Sequence, residues 1–331
     1  MAPLVTISVP IFKCEDFIEK TLASVRLQTY AAIEVILVND LTPDRSAEIA
    51  ADFIKKHALN HWKLVSLEKN SGLSVVRNKG LELANGKYLF FVDSDDELVP
   101  DAIENLVALA EETGAEMVMG EVEGIKLPEG TRTNLFPIRC KKEVLNGNDD
   151  VLYQFVNGGF AVSSWNKLIL TDFLRNNQLY FTAGLYAQDA LHSFEMALHL
   201  QSVAFLRKVT YLYYLHGNSV IHNRKKIHFD HWITIARKLD EHYQQEKNPQ
   251  RKALILQYLV TFKTQTLQMN WKAQKNEDLW KRSYSEYAKL HGLGLSDYFS
   301  GRFSNDLKKK NFLISLPVGL GYKIFKWRYE R

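Results

Sequence analysis

The chain has 331 residues, 46% of them hydrophobic, enough for a full α/β domain with a second region beside it. Its two cysteines, Cys14 and Cys140, form no CxxC pair, which excludes a disulfide framework or cysteine zinc site and fits a reducing cytosol. The net charge of +4 sits in the C-terminal stretch, where eight Lys or Arg between residues 302 and 331 face only Asp306 and Glu330, so the basicity does not argue for a nucleic-acid-binding body.

Residues 4–11 read as a first buried strand, and residues 15–28 as an amphipathic helix with Phe17, Ile18, Leu22 and Val25 on its apolar side. A second strand over 33–38 ends in the polar turn 39–44, which opens a helix over 45–57. A third strand follows at 62–67, then the turn Asn70-Ser71-Gly72 and a helix over 74–84; Asn85-Gly86 returns the chain into a strand at 88–92. This alternation is the pattern of a parallel sheet wound with crossover helices, whose ligands bind beyond the carboxyl ends of the strands. The first residues carry no signal-peptide pattern, and no apolar run approaches the roughly 20 residues that span a bilayer, so a soluble or peripheral protein is expected.

The strand over 88–92 stops at three carboxylates in four positions, Asp93, Asp95 and Asp96. Such neighbours repel, and a divalent cation is the usual means of keeping several ionised at one strand end. An acidic turn that caps a helix opened by Pro100 fits the triplet as well. The other strand ends also collect polar residues, at 10–13, at Asn39 and Asp40, and at 68–72, which together read as a nucleotide pocket with a metal. The first strand-to-helix turn, 10–15, contains no glycine, against the dinucleotide fingerprint, and no GxxxxGK[ST] phosphate loop occurs.

The stretches Ile7-Ser-Val-Pro-Ile-Phe-Lys-Cys-Glu-Asp-Phe, Gln28-Thr-Tyr, Glu34-Val-Ile-Leu-Val-Asn-Asp, Asn70-Ser-Gly-Leu-Ser-Val-Val-Arg-Asn-Lys-Gly, Phe90-Phe-Val-Asp-Ser-Asp-Asp and Trp165-Asn-Lys-Leu resemble successive landmarks of family-2 glycosyltransferases with the GT-A fold, of the bacterial polysaccharide-building type. The resemblance implies an α/β fold with a mainly parallel sheet, a nucleotide-sugar donor such as a UDP-sugar, Mn2+ or Mg2+, and inversion at the anomeric carbon. By that resemblance Asp40 accepts from the uracil, Pro10 and Phe12 wall the base, and Gly72, Asp93 and Ser94 belong to the donor site. Asp95 ligates the metal, with Asp96 its weakest neighbour. Arg77 reaches the diphosphate and Asn78 the ribose. Asp189 is the base, with Gln188 standing where the family usually has glutamate and His192 in reserve; Trp165 and Asn166 form an acceptor platform, and His216 lies near the diphosphate. Lys13, Asn39 and Leu41-Thr42 depart from the usual residues without removing a proposed metal ligand.

Each role has a plainer competitor: Asp189 as a helix N-terminal acid, Arg77 as a surface arginine, Trp165 as a core residue. From residue 229 the chain turns helical, with segments at 229–245, 252–271 and 279–290 and a break at Asn248-Pro249. The expected division is a donor half (1–120), an acceptor half (121–228), a helical region (229–300) and a basic amphipathic tail (301–331) whose interleaved cations and aromatics suit an anionic membrane surface on the cytoplasmic face, as a lipid-linked acceptor requires. Two readings compete with transfer: a non-catalytic sugar-nucleotide or glycan-binding protein, against which Asp93, Asp95 and Asp189 speak, and a membrane-surface module acting through the tail.

Overall fold

The computed structural model describes residues 2–215 and 226–329, with backbone only at 273 and 274. The chain divides into two compact units, residues 1–216 and 217–331.

The first unit begins with β1 (Val5–Ile11), α1 (Ile18–Arg26), β2 (Ile33–Asn39), α2 (Ser46–Lys56), β3 (Lys63–Ser66), α3 (Leu73–Leu83) and β4 (Tyr88–Phe91). These are the seven elements read from the sequence, with ends moved by a few residues. After the short β5 (Glu97–Leu98) come α4 (Ala102–Thr113), β6 (Met117–Lys126), β7 (Thr131–Leu135), β8 (Val144–Asn146), α5 (Asn148–Val156), β9 (Lys167–Leu170), α6 (Thr171–Asn176), α7 (Gln188–His199) and β10 (Ser202–Leu215). All the strands join one sheet in the order β3-β2-β1-β4-β9-β6-β10-β5, with β7 on β6 and β8 on β10.

Every residue of β1 is buried, as expected for a strand with parallel neighbours on both sides and helices over both faces. From β1 the chain winds outward through β2 to β3, and α3 then carries it back to β4 on the opposite side of β1. That reversal leaves a crevice at the carboxyl ends of β1 and β4, where such sheets bind ligands. The antiparallel β9 separates β4 from β6, so β6 and its parallel partner β10 run in the same direction as β4. The end of β10 therefore reaches the same edge of the sheet as the acidic turn.

Two local features set how closely the elements approach. A Cβ at Gly80 of α3 would stand 2.1 Å from Ser8 Oγ of β1, so glycine brings the crossover helix onto the central strand. In β10 the register against β6 shifts on either side of Val209, a bulge that re-aims the residues from Thr210 onward.

The second unit contains α8 (Lys226–Gln245), α9 (Pro249–Gln274), α10 (Glu277–Ala288), α11 (Leu295–Phe299), α12 (Asn305–Ser315) and α13 (Val318–Tyr329). Asn248 caps α9 by accepting from the N–H groups of Gln250 and Arg251, and Pro249 takes the first helical position. The region read as a tail is helical, and Tyr322 and Phe325 of α13 pack their rings against Trp271 and Trp280. Its other side is exposed, with Leu320 and Trp327 near Lys323. No helix among the described residues is long and apolar enough to cross a membrane.

Gly80→Ala forces α3 off β1 and is expected to cost about 1–3 kcal/mol. Urea unfolding would measure it; an unchanged midpoint would mean that Ser8 yields without strain.

Candidate active site

The acidic turn is held from below. Asp96 is fully buried; its carboxylate accepts from the Tyr211 hydroxyl (2.8 Å) and the Tyr214 N–H (3.0 Å), both on β10. The Tyr211 oxygen in turn accepts from the Asp93 N–H (3.1 Å). Burial, and then the charges of Asp95 and Asp93, push the Asp96 carboxyl well above the usual carboxylate range. Asp96 is thus an anchor of the turn and not the cap of α4, whose N-cap residue is Asp101.

Arg77 is the centre of the site. Its side chain is 1% exposed, with Nη2 bonded to Asp93 Oδ1 (2.7 Å) and Nη1 to Asp189 Oδ1 (2.5 Å), and it lies over the Phe181 ring. Burial favours deprotonation, but Asp189 and Asp93 outweigh it and raise the guanidinium pKa further. Arg77, expected to reach a diphosphate, bridges two acids. Asp93 is driven the other way: burial, moderated by Arg77 and reinforced by the charges of Asp95 and Asp189, lifts its carboxyl to about 6.

Asp189 stands in the first turn of α7, where the helix dipole favours a carboxylate. It also accepts from Ser164 Oγ at 2.6 Å, again on Oδ1. No donor from the described residues reaches Oδ2, and the side chain is 29% exposed. One oxygen is thus fixed by two donors and the other by none from the described residues. Gln188 is buried; with its amide oriented to satisfy both neighbours it donates to the Leu185 carbonyl (3.0 Å) and accepts from Arg77 Nη1 (3.1 Å). It supports the bridge, where a contact with an acceptor was expected.

On the donor side, Asp40 is 3% exposed and accepts from the N–H groups of Ser71 (2.6 Å) and Gly72 (2.9 Å) and from Asn70 Nδ2 (3.1 Å). It pins the loop before α3, and Gly72 has the positive φ of 86° that this turn requires. A carboxylate offers about four acceptor positions, and these donors take three of them. Pro10 is buried at the end of β1, and Phe12 just beyond it is 40% exposed. Ser94 is tied inward, its carbonyl accepting from Thr21 Oγ1.

Four residues expected to face a ligand are engaged by the protein itself, three of them buried and Asn78 half-buried. Asn78 exchanges hydrogen bonds with the Phe181 backbone, donating to its carbonyl (2.9 Å) and accepting from its N–H (2.8 Å). Asn166, at φ 56°, donates to the Gly120 carbonyl and accepts from Thr210 Oγ1. Trp165 is 6% exposed and stacks on Tyr211 and Tyr213. His192 is 2% exposed, stacked on Phe181 with Nε2 at the Leu179 carbonyl, and burial lowers its pKa to about 4. A neutral ring enclosed in this way is a packing residue and not a second base. His216 lies outside the described residues.

The sequence motifs assign no role to Ser164, to Tyr211 or, within the Trp165 landmark, to Lys167. Lys167 is buried under the Ser163 carbonyl and hydroxyl, and desolvation draws its pKa down to about 7. The available signals were the serine pair before Trp165 and the aromatic alternation Tyr211, Tyr213 on β10.

For a hard cation the fitting donors are Asp95, half-buried at the turn, and the Asp93 oxygen not bound to Arg77. Among the described residues no three His, Cys, Asp or Glu side chains form a closed metal cluster. An open site of this kind suits Mg2+ or Mn2+, which takes one or two carboxylates and completes its shell from phosphate and water. The placing of Asp93 and Asp95 two residues apart in one turn at the end of β4 is the observation that favours positive charge there.

The family model for glycosyl transferase family 2 matches residues 6–165. Putative glycosyltransferase EpsH of Bacillus subtilis is 30% identical over 240 residues, covering 70% of this chain and 67% of its own. The chain belongs to glycosyl transferase family 2. Its fold is shared by TarS of Staphylococcus aureus, named a poly(ribitol-phosphate) β-N-acetylglucosaminyltransferase, in the structure of its residues 1–349 with UDP-GlcNAc (TM-score 0.67, 19% identity, 86% of this chain and 81% of that one). The mannosyltransferase PcManGT of Pyrobaculum calidifontis, solved with GDP-Man and Mn2+, also shares it (TM-score 0.58, 15% identity, 100% and 88%). This family-2 chain is a glycosyltransferase with the GT-A fold and a C-terminal helical region, as the sequence landmarks imply.

Two consequences of this glycosyltransferase site can be measured. Arg77→Met leaves Asp93 and Asp189 without their buried cation and should destabilise the protein by roughly 3–5 kcal/mol in urea unfolding; a loss below about 1 kcal/mol would show that solvent replaces the guanidinium. His192 is neutral when folded and has its pKa below the unfolded value of about 6.5, so its contribution is fully present above that pH and is lost as pH falls toward 4. The loss is on the order of 3 kcal/mol, and stability measured from pH 7.5 to 4.5 should fall less steeply in His192→Gln.

Proposed function

We propose that this glycosyltransferase moves a sugar, with inversion, from a nucleoside-diphosphate donor, a UDP-sugar, to a hydroxyl of a growing bacterial surface glycan. The observation that carries the reading is the Arg77 bridge, which holds Asp189 at one side of the acidic turn with Oδ1 bonded and Oδ2 available. The acceptor O–H gives its proton to Asp189 Oδ2 as its oxygen bonds to the anomeric carbon, and the bond from that carbon to the diphosphate breaks with the electron pair leaving on phosphate oxygen. Arg77 and Ser164 orient the base. Asp40 takes the base N–H, and Phe12 lies against the ring. Asp95 and Asp93 would hold Mn2+ or Mg2+, which supplies Lewis-acid stabilisation of the departing diphosphate.

TarS bound to UDP-GlcNAc and PcManGT bound to GDP-Man and Mn2+ support the donor class and the metal. A relative named putative teichuronic acid biosynthesis glycosyltransferase TuaG, of Bacillus subtilis, supports a bacterial envelope glycan as acceptor. The exposed side of α13, with Leu320, Lys323 and Trp327, suits peripheral attachment to an anionic membrane surface at the cytoplasmic face. A non-catalytic binding protein would have no use for a base fixed by two donors beside an acidic turn.

The test is thermal unfolding with UDP, GDP, dTDP and their sugars, with and without Mn2+, followed by transfer assays. A ligand at 100 times its dissociation constant stabilises by about 2.7 kcal/mol. A manganese-dependent shift with UDP, absent in Asp95→Ala, is expected, as is a kcat roughly 10²–10⁴ lower in Asp189→Asn with the UDP shift retained. Unshifted melting with every nucleotide would remove the donor from the reading, and full activity in Asp189→Asn would remove the base.

A further inference from the structure

Trp165 belongs to an aromatic ladder that continues outward from the buried turn to solvent. Its indole stacks on Tyr211 (4.8 Å, 19° between planes) and on Tyr213 (5.4 Å, 27°). Phe136, the residue after β7, stands edge-on to both Trp165 (5.6 Å, 68°) and Tyr213 (5.9 Å, 85°) and is 45% exposed. It is held at φ 54°, a left-handed conformation that an aromatic residue adopts only where its surroundings impose it. The loop that follows is fastened down: the Ile138 N–H donates to Glu121, and Arg207 donates to the carbonyls of Ile138 and Cys140. The ring is therefore a fixed exposed surface and not a swinging one.

The inner end of the ladder reaches the reacting groups. Tyr211 donates to Asp96, and Trp165 directly follows Ser164, which donates to Asp189. An acceptor hydroxyl has to come within hydrogen-bond reach of Asp189, so the rest of the acceptor has to lie on a surface connected to that residue. The exposed aromatic that these contacts lead to is Phe136.

We propose that Phe136, backed by Trp165 and Tyr213, is the aromatic wall of the acceptor site and takes the C–H face of a ring sugar; this rests on the glycosyl-transfer reading above. A pyranose presents a rigid apolar face that matches an aromatic ring, as a flat amphipathic surface should. An open-chain polyol phosphate, the acceptor class in the name of TarS, presents no such face and carries charge. The acceptor is accordingly a pyranoside.

The experiment is saturation-transfer NMR on the full chain with UDP present. The probes are methyl β-glucopyranoside, methyl β-galactopyranoside and the methyl glycoside of N-acetylglucosamine, with ribitol 5-phosphate as the open-chain control. Wild-type protein should transfer saturation to the ring C–H protons of at least one pyranoside, Phe136→Ala should weaken its binding roughly tenfold, and Phe136→Trp should restore it. The UDP-induced melting shift in each variant reports that the fold and the donor side are intact. Equal binding by wild type and Phe136→Ala, no pyranoside signal in the wild type, or binding of ribitol phosphate alone would each overturn the wall. If the wild type also lacks the UDP shift, it is the transfer reading that fails; if the shift is present, only the wall does.

Discussion

A guanidinium taken out of water has to be matched by negative charge in contact with it, and in this molecule that requirement organises the site. Arg77 is buried on α3, with one carboxylate from the turn after β4 and another from the first turn of α7. Neither acid alone would have to hold its position. Two acids sharing one buried cation are each fixed relative to it, and so relative to each other, across a sequence separation of 112 residues on one side and 16 on the other. The residual negative charge is what a nucleotide's metal would neutralise. The cost of burying Arg77 is thus offset by the same geometry that sets Asp189 and the acidic turn at a constant spacing.

The rest of the first unit delivers these groups. The reversal of winding at β1 opens the crevice, Gly80 lets α3 lie close enough to β1 for Arg77 to reach inward, and the bulge in β10 turns Tyr211 toward Asp96 and Asp93. Ser164 adds a second donor to Asp189 from the segment before β9. The pieces come from separate stretches of chain and meet only at the edge of the sheet where β1, β4 and β10 all end.

The first four strands and their crossover helices were legible because each shows one clear period between polar turns, and the acidic turn was legible because three carboxylates at the end of an apolar strand are costly without a partner. The direction in which individual side chains face was not. Asn78, Trp165, Asn166 and His192 occupy recognisable positions, yet a one-dimensional pattern cannot distinguish a residue that touches a ligand from one that braces the residue beside it. Asn166 shows why: its left-handed backbone turns the amide onto Gly120 and Thr210, and nothing local to its sequence announces that φ. The bridge made by Arg77 was not legible either, since Asp189 lies more than a hundred residues away.

The anchoring of Asp96 by Tyr211 and Tyr214 bears on how the protein comes into being. The carboxylate and its Tyr214 N–H partner are 118 residues apart, which at typical synthesis rates is roughly 6–24 s of elongation. During that interval the nascent chain has made its parallel strands and its acids but has no strand on which to seat them. Residues 1–120 are therefore not a transplantable module: grafted alone onto another protein they would carry an acidic turn with its footing removed.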